Sequence, residues 1–267
     1  MIINQNVSGG SDPMSLKLKK NANNELVHDP DVTTTIDLTG VQTITDYMLY
    51  NAYNSSNVVG TAFRNANNLN YIFEKGAYQA FSGCSGITAT GLDNLMSVGY
   101  GGLESCFYGC TGITSIDVSN IDGIDDRGFY QTYAGCSNLT GNISFDNLSY
   151  ISGRENFYGA FANTNLTSIS FPALTDISPD PDPFDPESDP ETTNLIFANM
   201  LDGVTGCTVH FPSNYEGRFD GWNGFSDGFA GTNTTILYDL DPTGEPYIPE
   251  EPEPEEPEEP WEEEPIE

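Results

Sequence analysis

The chain contains five cysteines and two histidines, the side chains best suited to nucleophilic or metal chemistry. Cys106 and Cys110 form C-x-x-x-C, but a structural zinc site needs a second ligand pair at a suitable spacing. His28 and His210 stand apart, and the sequence has no G-x-S-x-G, H-E-x-x-H, P-loop or Rossmann motif. We therefore predict no catalytic residue, no metal site and no cofactor, and we interpret His210 as a surface or edge histidine.

Carboxylates are far more abundant, with 40 acidic against 8 basic residues and a formal net charge of −32 over 267 residues. Asp122, Asp125 and Asp126 are neighbours from which a glycosidase pair could be built, so a polysaccharide-cleaving enzyme is kept as a minority alternative. The excess negative charge repels nucleic-acid phosphates and anionic lipid headgroups. We therefore predict no nucleic-acid partner. We also predict no membrane insertion, because no run of about 18 apolar residues is present.

Acidic residues also cluster in "SPDPDPFDPESDPETT", residues 178–193. Calcium prefers such oxygen ligands, but an EF-hand loop has ligands at positions 1, 3 and 5 and glycine at position 6. Phe184 and Asp185 occupy the fifth and sixth places, and prolines stiffen the backbone. We predict a solvated Pro/Asp loop here, with a calcium site as the alternative.

An internal repeat organises most of the chain. Phe81, Phe107 and Tyr133 lie 26 residues apart, and each begins the pattern aromatic-x-Gly-Cys. Phe161 begins a copy that is one residue shorter, and Phe63 begins an earlier, weaker copy. A fixed period of this length is typical of solenoids, propellers and arrays.

Two sets of polar or reactive residues follow from this repeat. Three cysteines share one repeat position, and we predict that they form a buried ladder in which a disulfide is sterically allowed but not required: Cys84, Cys110 and Cys136. Three glycosylation sequons arise from the repeat's own N-L-T and related segments, and we interpret them as structural polar turns: Asn138, Asn142 and Asn165.

A second apolar set recurs at relative positions 0, +2, +5 and +8. Its copies are Ile36, Leu38, Val41, Ile44; Thr90, Leu92, Leu95, Val98; Ile116, Val118, Ile121, Ile124; Ile143, Phe145, Leu148, Ile151; and Ile169, Phe171, Leu174, Ile177. The segment Ile113-x-x-Ile116-x-Val118 fits the form L-x-x-L-x-L, which predicts Ile116 and Val118 on the inward face of a very short strand. One coil cannot bury such a face alone, but coils stacked about 4.8 Å apart form a continuous core.

These segments also carry a family resemblance. "FYGCTGITSIDVSN" and "YAGCSNLTGNISF" resemble the bacterial surface-protein 26-residue repeat and the related BspA-type leucine-rich repeat, in which F-x-x-C-x-x-L-T-x-I is frequent. The chain also resembles leucine-rich repeat proteins encoded by phages of gut bacteria. The resemblance implies surface display and adhesion, and it brings no catalytic residue.

The remaining candidates are exposed residues. Residues that alternate with the inward positions of the short strands should point outward and, with aromatic residues along the ridge, form a polar strip with aromatic edges. Extended solenoid surfaces of this kind serve as binding platforms. The predicted binding residues are Ser115, Asp117, Ser119, Ser144, Ser168, Ser170, Tyr108, Tyr130 and Tyr158.

We predict a mainly β protein, a right-handed leucine-rich-repeat solenoid with short strands and irregular or short helical returns, over residues 33–240. A leader at 1–32, without the features of a secretion signal, precedes it, and a disordered Glu/Pro tail at 241–267 follows. The predicted function is non-enzymatic adhesion or recognition at a virion or cell surface. The partner is a host-surface protein or glycan, and the leader is a candidate contact to phage structural proteins. The alternative is a structural decoration or fibre subunit of a phage particle.

Overall fold

The computed structural model describes residues 18–20, 26–28, 35, 37–178, 195–219 and 231–241. Most of the predicted leader, the acidic insert from residue 179 and the predicted tail from residue 242 lie outside the described residues. The described strands are β1 Leu18–Lys20, β2 Leu26–His28, β3 Thr43–Ile44, β4 Gly60–Thr61, β5 Tyr71–Ile72, β6 Ile87–Ala89, β7 Ser97–Val98, β8 Gly123–Ile124, β9 Thr140–Ser144, β10 Tyr150–Ser152, β11 Asn165–Ser170, β12 Asp176–Ser178, β13 Thr208–Pro212 and β14 Thr235–Leu240. A 3-10 helix spans Ser213–Tyr215.

The first wall of the solenoid is a six-stranded parallel sheet, the first sheet, in the order β3-β5-β7-β8-β10-β12. Ile72 pairs with Ile44 on one side and with Val98 on the other, and Ile151 pairs with Ile177. Ile44, Val98, Ile151 and Ile177 occupy the last position of the second apolar set, Ile72 aligns with them, and all five are buried. The predicted parallel solenoid with stacked equivalent positions is therefore confirmed.

The second wall contains β4 and β6 and, further along, the parallel sheet β9-β11-β13-β14, the second sheet. Ile169 pairs with Ile143 and with Val209, as coil stacking predicts. The predicted strand at Ile116 and Val118 is wrong, because residues 113–118 form no strand. The backbone of residues 113–118 bonds to the next coil once, from the Thr140 N–H to the Thr114 oxygen (3.2 Å), instead of through a ladder. Val118 is nevertheless buried and Ile116 half-buried.

The third wall consists of consecutive turns and is named the turn wall. It comprises residues 46–55, 74–83, 100–109, 126–135, 156–163 and 196–203. Along this wall, backbone amides alternate between two kinds of hydrogen bond. The Phe107 N–H donates to the next coil, at Thr132 O (3.0 Å), and the Tyr108 N–H that follows donates within its own turn, to Ser105 O (3.2 Å). The returns predicted as irregular or helical are thus an ordered stack of turns.

Every fourth residue of the turn wall has a left-handed backbone. In one coil these residues are Gly101, Ser105 and Gly109, with φ of 58°, 52° and 69°. A residue other than glycine in this region costs roughly 1–2 kcal/mol. The cost is offset because the alternating turns give buried amides hydrogen-bond partners that they would otherwise lack.

Five aromatic rings stack face to face through the core and are named the aromatic row. They are Tyr53, Phe81, Phe107, Tyr133 and Phe161, with successive centroids 5.1, 5.8, 5.4 and 5.8 Å apart. All five are fully buried. The aromatic repeat position therefore forms one continuous hydrophobic column, and its stacking holds successive coils in register.

Phe63 does not belong to the aromatic row, so its assignment as a weak copy of the anchor is wrong. Its amide donates to Thr90 O (2.9 Å), which places it in the second wall. Its ring meets Phe81 edge-on, with centroids 5.3 Å apart at 82°. Tyr53 provides the anchor of that coil instead.

The cysteine ladder is confirmed. Cys84, Cys110 and Cys136 are buried with free thiols, and each thiol donates to the carbonyl of the preceding anchor, at 2.9, 3.0 and 3.1 Å respectively. In the coils of Tyr53 and Phe161, the position three residues after the anchor holds Ser56 and Thr164 instead of cysteine. Burial raises the pKa of Cys136 to about 12, so the ladder holds unreactive thiols that serve packing.

Candidate recognition surface

Three of the predicted serines lie on the second sheet, namely Ser144, Ser168 and Ser170. Ser115 and Asp117 lie in the segment without a strand, and Ser119 lies in the turn after it. The predicted tyrosines lie on the turn wall, so the nine candidates do not form one strip. Ser170 pairs with Ser144 in neighbouring strands, and its hydroxyl donates to Ser144 Oγ (2.9 Å). Ser168 is half-buried, and Ser115 is exposed. Ser144 and Ser170 are thus joined along the solenoid, as polar side chains of an ordinary solvated sheet are.

Asp117 and Ser119 form a local turn. Both the Ser119 amide (3.0 Å) and its hydroxyl (2.7 Å) donate to Asp117 Oδ1. Asp37 and Thr39 repeat the arrangement, and there the Thr39 hydroxyl, above all other groups, lowers the pKa of Asp37 to about 2. An aspartate at this repeat position therefore shapes the corner of the coil.

The carboxylates considered for glycoside cleavage have structural partners as well. Asp125 Oδ1 accepts a hydrogen bond from the Tyr150 hydroxyl (3.1 Å), and Asp126 Oδ1 accepts one from the Arg154 amide (3.0 Å). Both contacts join one coil to the next. Asp122 is exposed and lies apart from these contacts. Asp125 and Asp126 therefore help to fix the spacing between neighbouring coils.

A serine, a histidine and an aspartate meet on the second sheet. His210 Nδ1 lies 2.8 and 3.0 Å from the two Asp239 carboxylate oxygens, and Ser170 is the register partner of His210. A hydrolytic triad requires the serine hydroxyl to bond to the histidine. The Ser170 hydroxyl instead donates to Ser144, which donates to Asp146. The described geometry does not assemble a triad. His210 is a half-buried residue tied to β14, and its strand β13 is paired on both sides, so the expected edge position is wrong.

The asparagines of the predicted polar turns have structural roles, as interpreted. Asn138 Nδ2 donates to Thr111 O (2.8 Å), and Asn165 Nδ2 donates to Ser137 O (2.5 Å). Each amide therefore links its coil to the preceding one at the corner between the turn wall and the second sheet.

The turn wall carries a concentration of exposed and half-buried tyrosines, named here the tyrosine face. Half of the 14 tyrosines of the chain lie on it: Tyr47, Tyr50, Tyr78, Tyr100, Tyr108, Tyr130 and Tyr158. Tyr50 stacks on Tyr78 with centroids 4.5 Å apart, and Tyr130 stacks on Tyr158 at 4.9 Å. These four rings are thus held in pairs, and each of them remains partly exposed.

A charged cluster separates the two stacked pairs. The Arg127 guanidinium donates to both Glu104 oxygens (2.8 and 3.1 Å) and to Glu155, and it lies 4.0 Å from the Tyr130 ring centroid. The hydrogen bonds with Glu104 raise the pKa of Arg127. Lys75 Nζ lies within 6 Å of two further rings, those of Tyr78 and Tyr100. Cations therefore hold the tyrosine face in place within an acidic chain.

Sequence reasoning identified three members of this face and missed the others. A signal was present, because a tyrosine stands three residues before an anchor in Tyr50-x-x-Tyr53, Tyr78-x-x-Phe81, Tyr130-x-x-Tyr133 and Tyr158-x-x-Phe161. Glu104 occupies the place in the remaining coil. The four-residue turn places the anchor in the core and the tyrosine three residues before it on the surface. Hydropathy alone does not distinguish these two positions.

Comparison with known proteins explains these repeats. The family model of the BspA type leucine-rich repeat region matches residues 61–180 in six copies. Over these residues the chain is therefore similar to BspA-type leucine-rich repeat proteins. Proteins of this type are often associated with surfaces, and their solenoids are typical of non-enzymatic recognition proteins. No curated protein and no solved structure matches the chain.

None of the helices among the described residues has the length and apolarity that crossing a bilayer requires.

Proposed function

We propose that this protein is a non-enzymatic recognition protein that binds a protein on a host-cell surface through the tyrosine face. The observation that carries the proposal is the gathering of seven tyrosines on the turn wall. The setting that we propose is a phage particle, and its support is the resemblance of the repeats to phage-encoded leucine-rich repeat proteins.

The chemistry of the tyrosine face suits protein binding. Tyrosine and arginine are enriched at the energetic centres of protein interfaces, because they offer large contact areas with a polar end. Tyr47, Tyr100 and Tyr108 are each exposed by more than 40%. The stacked pairs lose little conformational entropy on binding, since neighbouring rings already hold them.

The test is binding of the fluorescently labelled protein to intact cells of a panel of gut bacteria, measured by flow cytometry. Two variants remove one stacked pair each, Tyr50→Ser/Tyr78→Ser and Tyr130→Ser/Tyr158→Ser. The control Ser144→Ala/Ser170→Ala alters the second sheet and leaves the tyrosine face intact. Circular dichroism confirms that all the variants are folded.

We expect the unmodified protein to bind at least one strain and the tyrosine variants to bind at least about tenfold more weakly, the loss of a modest interface hot spot. The control should bind normally, and protease treatment of the cells should abolish binding. Binding that is indifferent to both tyrosine pairs, or that survives protease, contradicts the proposal. Failure to bind any cell, combined with co-sedimentation with phage particles, would favour the structural-decoration alternative.

A further inference from the structure

A polar groove of about 500 Å³ runs along the corner between the second wall and the first sheet, away from the tyrosine face. It crosses several coils and is named the asparagine groove. Its lining residues are Asn67, Asn70, Asn94, Met96, Asn120, Asp122 and Asn147. Five of the seven carry a neutral amide, so the groove differs in character from the acidic chain around it.

The amides of the groove are partly fixed and partly available. Asn120 Nδ2 donates to Asp93 O (2.6 Å), and Asn147 Nδ2 donates to Ser119 O (2.8 Å). Each of these amides retains a second hydrogen and a carbonyl oxygen for a ligand. Asn94 makes no side-chain hydrogen bond to any described residue, so its whole amide is available. The backbone-anchored amides supply orientation, and Asn94 supplies free bonding capacity.

The lining favours a neutral, hydroxyl-rich ligand. Asp122 is the one charged side chain among the described lining residues. A single carboxylate is too few for a calcium site, and its negative charge repels an anionic ligand. Amides present donors and acceptors side by side, as sugar hydroxyls require. Met96 is 38% exposed and lines the groove. Its flexible thioether side chain offers an apolar surface for the flat face of a sugar ring.

We propose that the asparagine groove binds a neutral oligosaccharide laid along the solenoid axis. The coils are spaced by about 4.8 Å, close to the length of one sugar residue, so successive sugars face equivalent amides of successive coils. Asn94 and Asp122 hydrogen-bond to hydroxyl groups, and Met96 packs against a ring. This second site is independent of the protein ligand proposed for the tyrosine face.

The test is binding of the purified full-length protein to an array of neutral, sialylated and uronic-acid oligosaccharides, followed by calorimetry with the best neutral ligand. The variants Asn94→Ala and Asp122→Ala remove ligand contacts without touching a hydrogen bond to the backbone. Asn57→Ala is the matched control, because Asn57 is an exposed asparagine at the corner that follows the turn wall.

We expect retention of neutral oligosaccharides, at least about tenfold weaker binding in each groove variant, and unchanged binding in Asn57→Ala and in Tyr50→Ser/Tyr78→Ser. Absence of any neutral ligand, preference for the acidic oligosaccharides, or unaltered binding by both groove variants overturns the proposal. Cell binding that is lost in the tyrosine variants while no oligosaccharide binds would refute the groove alone. Sugar binding without protease-sensitive cell binding would refute the tyrosine-face proposal alone.

Discussion

Tyr133 places a phenol hydroxyl inside the aromatic row, between the rings of Phe107 and Phe161. The hydroxyl is buried without a hydrogen-bond partner, and burial raises the pKa of Tyr133 strongly. A buried polar group without a partner costs roughly 1–3 kcal/mol. Tyr133→Phe should therefore stabilise the protein by about 1 kcal/mol, after a small loss of packing, measured as a higher urea midpoint.

The control for this substitution is Tyr130→Phe, which removes a hydroxyl from the half-buried neighbour on the tyrosine face. It should change stability by less than about 0.5 kcal/mol, as surface substitutions usually do. A lower midpoint for Tyr133→Phe would mean that the hydroxyl finds a partner in solution, contrary to the geometry of the row.

At the scale of the element, glycines set how closely the coils approach. A Cβ added at Gly112 would overlap the carbonyl oxygens of Ile87 and Ser85 in the preceding coil. The Gly112→Ala variant must separate the backbones there. We expect a loss of more than about 2 kcal/mol in unfolding free energy, the size typical of severe overpacking.

Gly141 provides the matched variant, because it has φ +82° and no atom within 4 Å of an added Cβ. Gly141→Ala therefore reports only the backbone penalty of the left-handed region, about 1–2 kcal/mol. Thermal and urea unfolding of the two variants separate close approach from backbone strain. Equal losses would show that the spacing of the coils tolerates the extra methyl group.

The elements also show where sequence reasoning succeeds and fails. The pairing of Ile143 with Ile169 was predictable, because stacked coils must bring equivalent apolar positions together. The turn wall was not, since its residues are selected by backbone conformation and not by hydropathy. Lys75, Gln79 and Arg127 have positive φ without being glycine or asparagine. The asparagine groove escaped notice because its members align across coils and share no local motif.

At the scale of the whole molecule, each coil contacts only its neighbours, so stability should vary along the solenoid. The central coils have a partner on both sides, and their inward residues, such as Ile169 in β11, are fully buried. In β14 the inward residue Ile236 is only partly buried, and its neighbour Leu237 is 38% exposed. Among the described strands of the second sheet, β14 therefore holds the least buried apolar surface.

We expect the coil of β14 to open first, and native-state hydrogen exchange measured by mass spectrometry tests this order. Amides of Thr235–Leu240 should exchange at least about tenfold faster than those of Asn165–Ser170, because local opening there exposes fewer apolar contacts. In Gly112→Ala, faster exchange should appear in the coils adjacent to residue 112 and leave Thr235–Leu240 unchanged. Uniform exchange along the chain would instead mean that the aromatic row couples all coils into one cooperative unit, since a single continuous stack can propagate opening from end to end.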